Sequence, residues 1–293
     1  MTFRILDISR RWLDAGTGAV ASRVGCQIGQ WGRMGQSGRM GLIATGRFVV
    51  RFAEGRADLR SAQHLRQLTF RPASTDGGAE DGTALLDADR YDDLCRHVLV
   101  EDRATGAVVC CFRLMHLASG AEIGASYAAQ FYDLSALQGF AAPMAELGRF
   151  CIDPSRPDPD ILRLAWAALT RLVDAEGIAM LFGCSSFRGT DPARHAGALA
   201  LLAHRHLAPL HRRPRIKAPQ VWRYAEALAA RRPDAAAALL VMPPLLRSYL
   251  AMGGWVSDHA VIDHDLNTLH VFTGLEISAI PPARARALRA LAR

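Results

Sequence analysis

The stretch HVLVEDRATGAVVCCFRLM, residues 97–115, decides the fold that the sequence predicts. Its apolar runs, His97–Val100 and Ala107–Met115, have the composition of two β-strands. The polar residues 101–106 between them end in Gly106 and suit a hairpin turn. Strands that follow each other across such a turn pair antiparallel, so we predict a mostly antiparallel sheet.

Working outward, helices and strands mix on both sides of this hairpin. We predict a strand at Arg47–Ala53, a helix at Ala57–Leu68 and, further on, a strand at Glu146–Ile152. The other predicted elements are helices at 160–175, 191–204, 220–230 and 244–252, strands at 180–184, 260–262 and 269–274, and a basic C-terminal helix. The order predicts a mixed α/β (α+β) fold, a twisted central sheet flanked by helices.

Two segments have neither strand nor helix periodicity. Residues 1–45 are rich in Gly, Arg and Met, and we interpret them as a basic N-terminal extension before one domain at residues 46–293. Residues 71–84 are rich in Gly, Ser and Asp, which predicts a loop.

Composition predicts a globular protein with an anionic partner. The 293 residues are 50% hydrophobic and carry 35 Lys and Arg against 28 Asp and Glu, a net charge of +7. Nucleic acid, anionic lipid and an acidic protein all fit such a charge. Six cysteines without a C-x-x-C motif, no membrane-length apolar run and no secretory signal predict a cytoplasmic location.

Four large enzyme classes lack their sequence signature. The chain contains no P-loop, no dinucleotide-binding G-x-G-x-x-G on a strand, no H-E-x-x-H and no G-x-S-x-G. Nucleotide hydrolysis, dinucleotide redox chemistry, zincin and α/β-hydrolase chemistry are therefore disfavoured.

An acidic stretch, DADRYDDLCRH, precedes the first strand of the hairpin. Its carboxylates Asp87, Asp89 and Asp92 could hold a cationic substrate group through charge-assisted hydrogen bonds. A solvated acidic loop is the alternative. A calcium loop is disfavoured because the regular ligand spacing and the glycine of an EF-hand are missing.

Charged residues also occur inside predicted strands. Glu146 and Arg149 lie three apart in ELGRF, which places them on opposite faces of a strand unless a bulge at Gly148 redirects one of them. A structural salt bridge between them is the alternative to a functional site. Arg113, in CCFRLM, is a second arginine on the sheet.

Two later motifs have more than one interpretation. FGCSSFRGTD, residues 182–191, resembles a strand entering a Gly/Ser loop before a helix, where free N–H groups could bind an anion. DHAVIDHDLNT, residues 258–268, alternates His and Asp, but its apolar residues favour a strand with polar flanks over a metal site.

Six motifs in register resemble one family over residues 47–278: LLDADRYDDLCRH, FRLM, ELGRFCIDP, LFGCSSFRGTD, PPLLRSYLAMG and VIDHDLNT. The chain resembles the bacterial ornithine lipid N-acyltransferases, which are similar to the GNAT acyltransferases and to the acyl-homoserine lactone synthases. The resemblance implies a GNAT-like fold and transfer of a 3-hydroxyacyl chain from acyl carrier protein to the α-amine of L-ornithine, giving lyso-ornithine lipid.

The resemblance also implies a site. It gives substrate-binding roles to six residues: Arg66, Phe70, Asp87, Asp89, Asp92 and Arg113. It places Glu146, our candidate base, and Arg149 at the catalytic position, with no metal and no cofactor beyond the acyl-carrier-protein thioester.

Two features favour a carrier protein over coenzyme A as donor. The loop DPSRPDPD, residues 153–160, has prolines without N–H groups and aspartates that repel a pyrophosphate. The basic run at residues 204–217 offers a surface for an acidic carrier protein.

Three alternatives stay open. The acceptor could be another amino acid such as glutamine, or the chain could be an acyl-homoserine lactone synthase that uses S-adenosylmethionine. The third is a nucleic-acid or anionic-membrane binding module without catalysis. Trp31, Met34 and Met40, with Arg33 and Arg39 beside them, are candidates for peripheral contact with the inner membrane.

Overall fold

The computed structural model describes residues 42–71, 86–156 and 158–292. The helices are α1 (Gly55–Phe70), α2 (Pro159–Glu176), α3 (Ala196–Arg205), α4 (Tyr224–Ala227), α5 (Ala235–Val241), α6 (Pro244–Ala251) and α7 (Pro282–Leu291). The strands are β1 (Ile43–Ala44), β2 (Phe48–Phe52), β3 (Arg96–Asp102), β4 (Val108–Leu117), β5 (Tyr132–Asp133), β6 (Met144–Ile152), β7 (Met180–Arg188), β8 (Arg215–Ile216), β9 (Val221–Trp222), β10 (Trp255–Val256), β11 (Ala260–Asp263) and β12 (Thr268–Glu276).

One large sheet runs through the protein in the order β1-β2-β3-β4-β6-β7-β12-β11-β9, with β10 beside β12. Its neighbouring strands are antiparallel except β6 and β7, which are parallel. The predicted mixed α/β fold with a mostly antiparallel sheet is confirmed.

The β3–β4 hairpin forms where the sequence predicts it. Gly106 takes a positive φ of 68°, and its N–H donates to the carbonyl of Asp102 at 2.8 Å. The Asp102 side chain accepts the N–H of Ala104 at 3.0 Å, so backbone and side chain together close the turn.

Helices cover both faces of the hairpin. On one face α1 packs Ala62 and Leu65 against Leu99, Cys111 and Cys151. On the other face α2 covers the alternate residues of the same strands, such as Val98, Cys110 and Phe112. The alternation of β4 therefore directs Cys111 and Arg113 towards the α1 face.

The parallel strands β6 and β7 separate shortly after they meet. Their register pairs run from Met144 with Met180 to Glu146 with Phe182. Beyond that point β6 stays paired with β4 and β7 with β12. In the described part of the chain the two strands therefore have no register pairs after Glu146, and we call the place where they part the β6–β7 cleft.

Gly183 lies where the two strands part, and we predict that it tolerates no side chain. A Cβ added there would stand 2.4 Å from the carbonyl oxygen of Leu147. Because backbone would have to move, Gly183→Ala is expected to lower the free energy of unfolding by about 1–3 kcal/mol. Chemical unfolding measures this loss.

Gly197 in α3 is the matched control, because an added Cβ there meets nothing within 4 Å. Gly197→Ala should be neutral or raise stability by up to about 1 kcal/mol. Equal unfolding midpoints for Gly183→Ala and the wild type would show that the two strands are not packed as described.

Several predicted elements are wrong in detail. The predicted helix at 220–230 is instead β9 followed by the four-residue α4. The predicted Gly/Ser loop after residue 184 is a continuation of β7 to Arg188, because β12 pairs with β7 along its whole length. The helix predicted at 191–204 begins as a 3-10 turn, capped by Asp191, before α3.

The predicted loop at 71–84 and nearly all of the N-terminal extension lie outside the described residues. From the extension, Ile43 and Ala44 form β1 and pair with β2. No helix in the described ranges is long and apolar enough to cross a membrane.

Candidate active site

A bulge in β6 brings Glu146 and Arg149 to one face of the sheet. Between two register pairs, Cys111 with Cys151 and Arg113 with Gly148, β4 has one residue and β6 has two. The extra residue is Arg149, with a left-handed φ of 51°. The predicted bulge is confirmed one residue beyond Gly148, and it redirects Arg149 to the α1 face.

Glu146 is a buried carboxylate held by backbone N–H groups. Its two oxygens accept the N–H of Tyr127 and the N–H of Ala128, both at 2.7 Å. Burial raises the pKa of Glu146 to about 7, although these hydrogen bonds and the charge of Arg113 oppose the shift. A carboxyl with this pKa exchanges a proton near neutral pH, as a general base must.

The salt-bridge alternative for Glu146 and Arg149 is wrong. Arg149 donates instead to Asp87 from Nε at 2.9 Å and to Asp89 from Nη2 at 3.1 Å. The two residues of the ELGRF motif therefore have separate partners at the same cleft.

The acidic stretch forms a buried network with arginines. Arg66, fully buried on α1, donates from Nε to Asp87 at 2.8 Å and from Nη1 to Asp92 at 2.7 Å. Arg113 donates from Nη1 to Asp89 and to Asp92, each at 2.6 Å, and from Nη2 to Asp89 at 2.9 Å. Three arginines thus balance three aspartates, and the prediction of a solvated acidic loop is wrong.

The charges of the network hold one another ionised. Burial alone would raise the pKa of Asp92, but hydrogen bonds from Arg66 and Gln63 lower it to about 2. Burial likewise opposes ionisation of Asp89, yet the hydrogen bond and charge of Arg113 keep its pKa below the ordinary value. The network is therefore an ionic scaffold at neutral pH.

Only part of this network is open to a substrate. The Arg149 side chain is 11% exposed and the Asp89 side chain 23%, whereas those of Arg66 and Asp92 are 0% and 4% exposed. Arg149 and Asp89 are the groups that a bound molecule can reach. The buried pairs position them.

Aromatic side chains surround the exposed arginine. The Arg149 guanidinium carbon lies 5.1 Å from the centre of the Tyr127 ring and 5.9 Å from that of Phe70. Tyr91 contacts both Tyr127, with ring centres 5.4 Å apart, and Arg113 at 5.6 Å. These cation–π contacts fix the guanidinium planes beside the cleft.

All eight residues predicted for the site thus lie around one end of the cleft. Three others that also belong there were missed: Gln63, Tyr91 and Tyr127. The helical period of α1 was a usable signal for Gln63, since it lies one turn before Arg66 and donates to Asp92 at 2.9 Å. No sequence signal indicated Tyr127, because it precedes a short 3-10 helix that lies outside every motif.

The segment DHAVIDHDLNT is a strand with polar flanks, as predicted. It forms β11 and the turn into β12, where Asp263 accepts the N–H of Leu266 at 3.0 Å. His259 hydrogen-bonds Asp258 at 2.8 Å. In the described ranges no cluster of three metal-ligating side chains occurs.

The basic run also contacts the site. Lys217 donates from Nζ to the carbonyl of Ala129 at 2.6 Å, one residue after the N–H that holds Glu146. A surface groove of about 720 Å³ is lined by Arg213, Arg215 and Arg223 and by two carboxylates, Glu226 and Asp258.

Comparisons with known proteins identify the family of the chain. Residues 65–167 match the family model of the acetyltransferase (GNAT) domain. The L-ornithine N(alpha)-acyltransferase of Rhodobacter capsulatus is 34% identical over 241 residues, which are 80% of this chain and 91% of that protein. The enzyme of the same name from Brucella abortus is 33% identical over 80% of this chain and 86% of that protein.

Two solved structures are more distantly similar. FeeM, an N-acyl amino acid synthase from uncultured soil microbes, is 11% identical with a TM-score of 0.46, over 80% of this chain and 94% of that chain. BjaI, a coenzyme A-dependent acyl-homoserine lactone synthase, is 14% identical with a TM-score of 0.41, over 79% of this chain and 80% of that chain.

These two relatives are each more than 30% identical to this chain over four fifths of its length. The chain is therefore an acyltransferase that belongs to the L-ornithine N(alpha)-acyltransferase family.

Proposed function

We propose that the protein transfers a 3-hydroxyacyl chain from the thioester of acyl carrier protein to the α-amine of L-ornithine, giving lyso-ornithine lipid. The observation that carries this proposal is a buried Glu146 with a pKa near 7 where β6 and β7 part, on the same face as Arg149, whose side chain is 11% exposed. Beyond the thioester co-substrate, the proposed reaction needs no cofactor.

The proposed step forms a C–N bond and breaks a C–S bond. The neutral α-amine attacks the thioester carbonyl, and the carrier thiolate leaves. Glu146, directly or through one water, takes the proton that the amine loses and returns it to the thiolate. The separated strands offer backbone N–H groups without a partner strand, which is where the oxyanion of the tetrahedral intermediate would be stabilised.

The exposed edge of the network suits an amino acid. A guanidinium pairs with a carboxylate in a two-pronged geometry, so Arg149 is our candidate for the α-carboxylate. Asp89, the most exposed carboxylate of the network, is our candidate for the side-chain ammonium. Glutamine has no such ammonium and is the alternative acceptor.

The start of α2 supports a carrier protein over coenzyme A. Asp158 caps that helix by accepting the N–H of Asp160 at 3.0 Å, and Asp153 accepts the N–H of Ser155 at 2.9 Å. The Asp158 carboxylate occupies the helix N-terminus at which N–H groups would bind a pyrophosphate, and both carboxylates repel one.

The test offers two donors and four acceptors to the purified protein. The donors are 3-hydroxyacyl carrier protein and 3-hydroxyacyl-CoA, the acceptors are ornithine, glutamine, lysine and S-adenosylmethionine, and mass spectrometry detects the products. We expect product from ornithine with the carrier-protein donor. Product from glutamine alone would change the acceptor, and a lactone formed with S-adenosylmethionine would replace the proposal by the homoserine lactone synthase.

The basic groove gives a second prediction. Reversing Arg215 and Arg223 to Glu is expected to raise KM for the carrier-protein donor by about tenfold, because charge complementarity accelerates encounter. Steady-state kinetics at low salt measures the change. The double variant Arg56→Glu, Arg60→Glu, an equal change of charge at exposed positions of α1, is the control; equal KM values for both double variants would place the donor elsewhere.

A further inference from the structure

Helix α5 ends in an exposed apolar tip. Leu239, Leu240 and Val241 are 42%, 60% and 58% exposed, the one run of adjacent large apolar side chains exposed in the described ranges. Exposed apolar residues normally occur singly, so a run of three indicates a contact surface.

The tip is held firmly in place. Ala238 is buried against α3, and Met242 and Leu246 belong to the same core cluster. Arg247 donates from Nη1 to the carbonyl of Leu239 at 3.2 Å. The acidic residue of the helix, Asp234, caps the opposite end, where it accepts the N–H groups of Ala236 and Ala237.

Basic side chains occur at both ends of α5. Arg247, which contacts Leu239, is half-buried beside the tip, whereas Arg231 and Arg232 are exposed before the opposite end of the helix. Apolar side chains flanked by arginines are what the boundary of an anionic bilayer binds. A second copy of the chain fits less well, because three side chains fall far short of the roughly 800 Å² per partner in a stable interface.

We propose that the Leu239–Val241 tip inserts into the headgroup boundary of an anionic membrane, with Arg231 and Arg232 on its phosphates. The proposal rests on the proposed function in one respect: the acylated product is an amphiphile that has to reach a bilayer. The region of Trp31, the other candidate for membrane contact, lies outside the described residues.

The test is flotation of the full chain with vesicles of phosphatidylcholine and phosphatidylglycerol, in the absence of acyl donor. We expect the wild type to float, and the double variant Leu240→Ser, Val241→Ser to lose about tenfold or more in partition coefficient. The double variant Arg231→Gln, Arg232→Gln should bind these mixed vesicles no better than the wild type binds vesicles of phosphatidylcholine alone. Leu94→Ser, which changes a 64% exposed leucine elsewhere, should float like the wild type.

Three results would overturn the proposal. They are a wild type that does not float, a Leu240→Ser, Val241→Ser variant that floats equally well, and gel filtration in which that variant splits a wild-type dimer. Since vesicle binding is measured without catalysis, its failure is separable from failure of the acylation assay.

Discussion

Replacing Glu146 with Gln is expected to lower kcat for acyl transfer by about 10²–10⁴-fold, the usual contribution of a positioned general base. Burial raises the pKa of Glu146 to about 7, so its carboxylate is populated at neutral pH and basic enough to take the proton of the amine. Gln fills the same space and accepts no proton. Single-turnover kinetics with saturating acceptor measures the loss.

The dependence of kcat on pH distinguishes a general base at position 146 from a residue that only holds the backbone in place. Glu146 also holds the N–H groups of Tyr127 and Ala128, and Gln would lose one of these contacts. As a base, Glu146 makes the kcat of the wild type rise with pH and level off above about 7. The kcat of the Gln variant should not rise with pH in this way. If the Gln variant is slow but its kcat still rises up to about pH 7, the role of Glu146 is purely structural.

Stability gives an independent check on the same pKa. Because the folded pKa of Glu146 lies above its ordinary value, the folded state binds the proton more tightly than the unfolded chain. Its contribution to stability is present below about pH 4.5 and is lost as the pH rises through 7. The difference in unfolding free energy between wild type and Glu146→Gln should therefore change across that window.

Replacing Asp92 with Asn is expected to cost about 3–5 kcal/mol of folding free energy, the usual cost of leaving a buried charge without its partner. The Asp92 carboxylate accepts hydrogen bonds from Arg66, Arg113 and Gln63. The amide nitrogen of Asn would face those same donors. Thermal and chemical unfolding measure the loss.

Asp93 is the matched control, since it is the exposed neighbour of Asp92. Asp93→Asn should leave the unfolding midpoint nearly unchanged.

The free energy of unfolding of the wild type should also fall by about 2 kcal/mol as the pH falls from about 4 to 2, because the folded pKa of Asp92 is lowered to about 2. Equal midpoints for the two variants would contradict the ionic scaffold.

The first strands of the sheet were predictable because their apolar runs are bounded by strong turn signals. The runs at 47–53, 97–100 and 107–115 became β2, β3 and β4, and Gly106 closes the turn as its position suggests. The helix predicted at 220–230 failed because pairing with β11 outweighs its local helical preference.

The site was predictable in its members and only partly in its contacts. The three-residue spacing of Glu146 and Arg149 was enough to suggest a bulge, but spacing does not show which groups the two side chains contact. Asp87, Asp89 and Asp92 bind arginines from three different elements, and such pairings depend on tertiary packing. The place of Tyr127 at the site follows only from the structure, in which its N–H contacts Glu146 and its ring contacts Arg149.

The most direct test of the account is tandem mass spectrometry of the product that the wild-type protein forms from ornithine and 3-hydroxyacyl carrier protein. The account predicts one acyl chain, attached to the α-nitrogen, with the side-chain amine free. An acyl chain on the side-chain amine, or no product from folded protein and an intact donor, would contradict it.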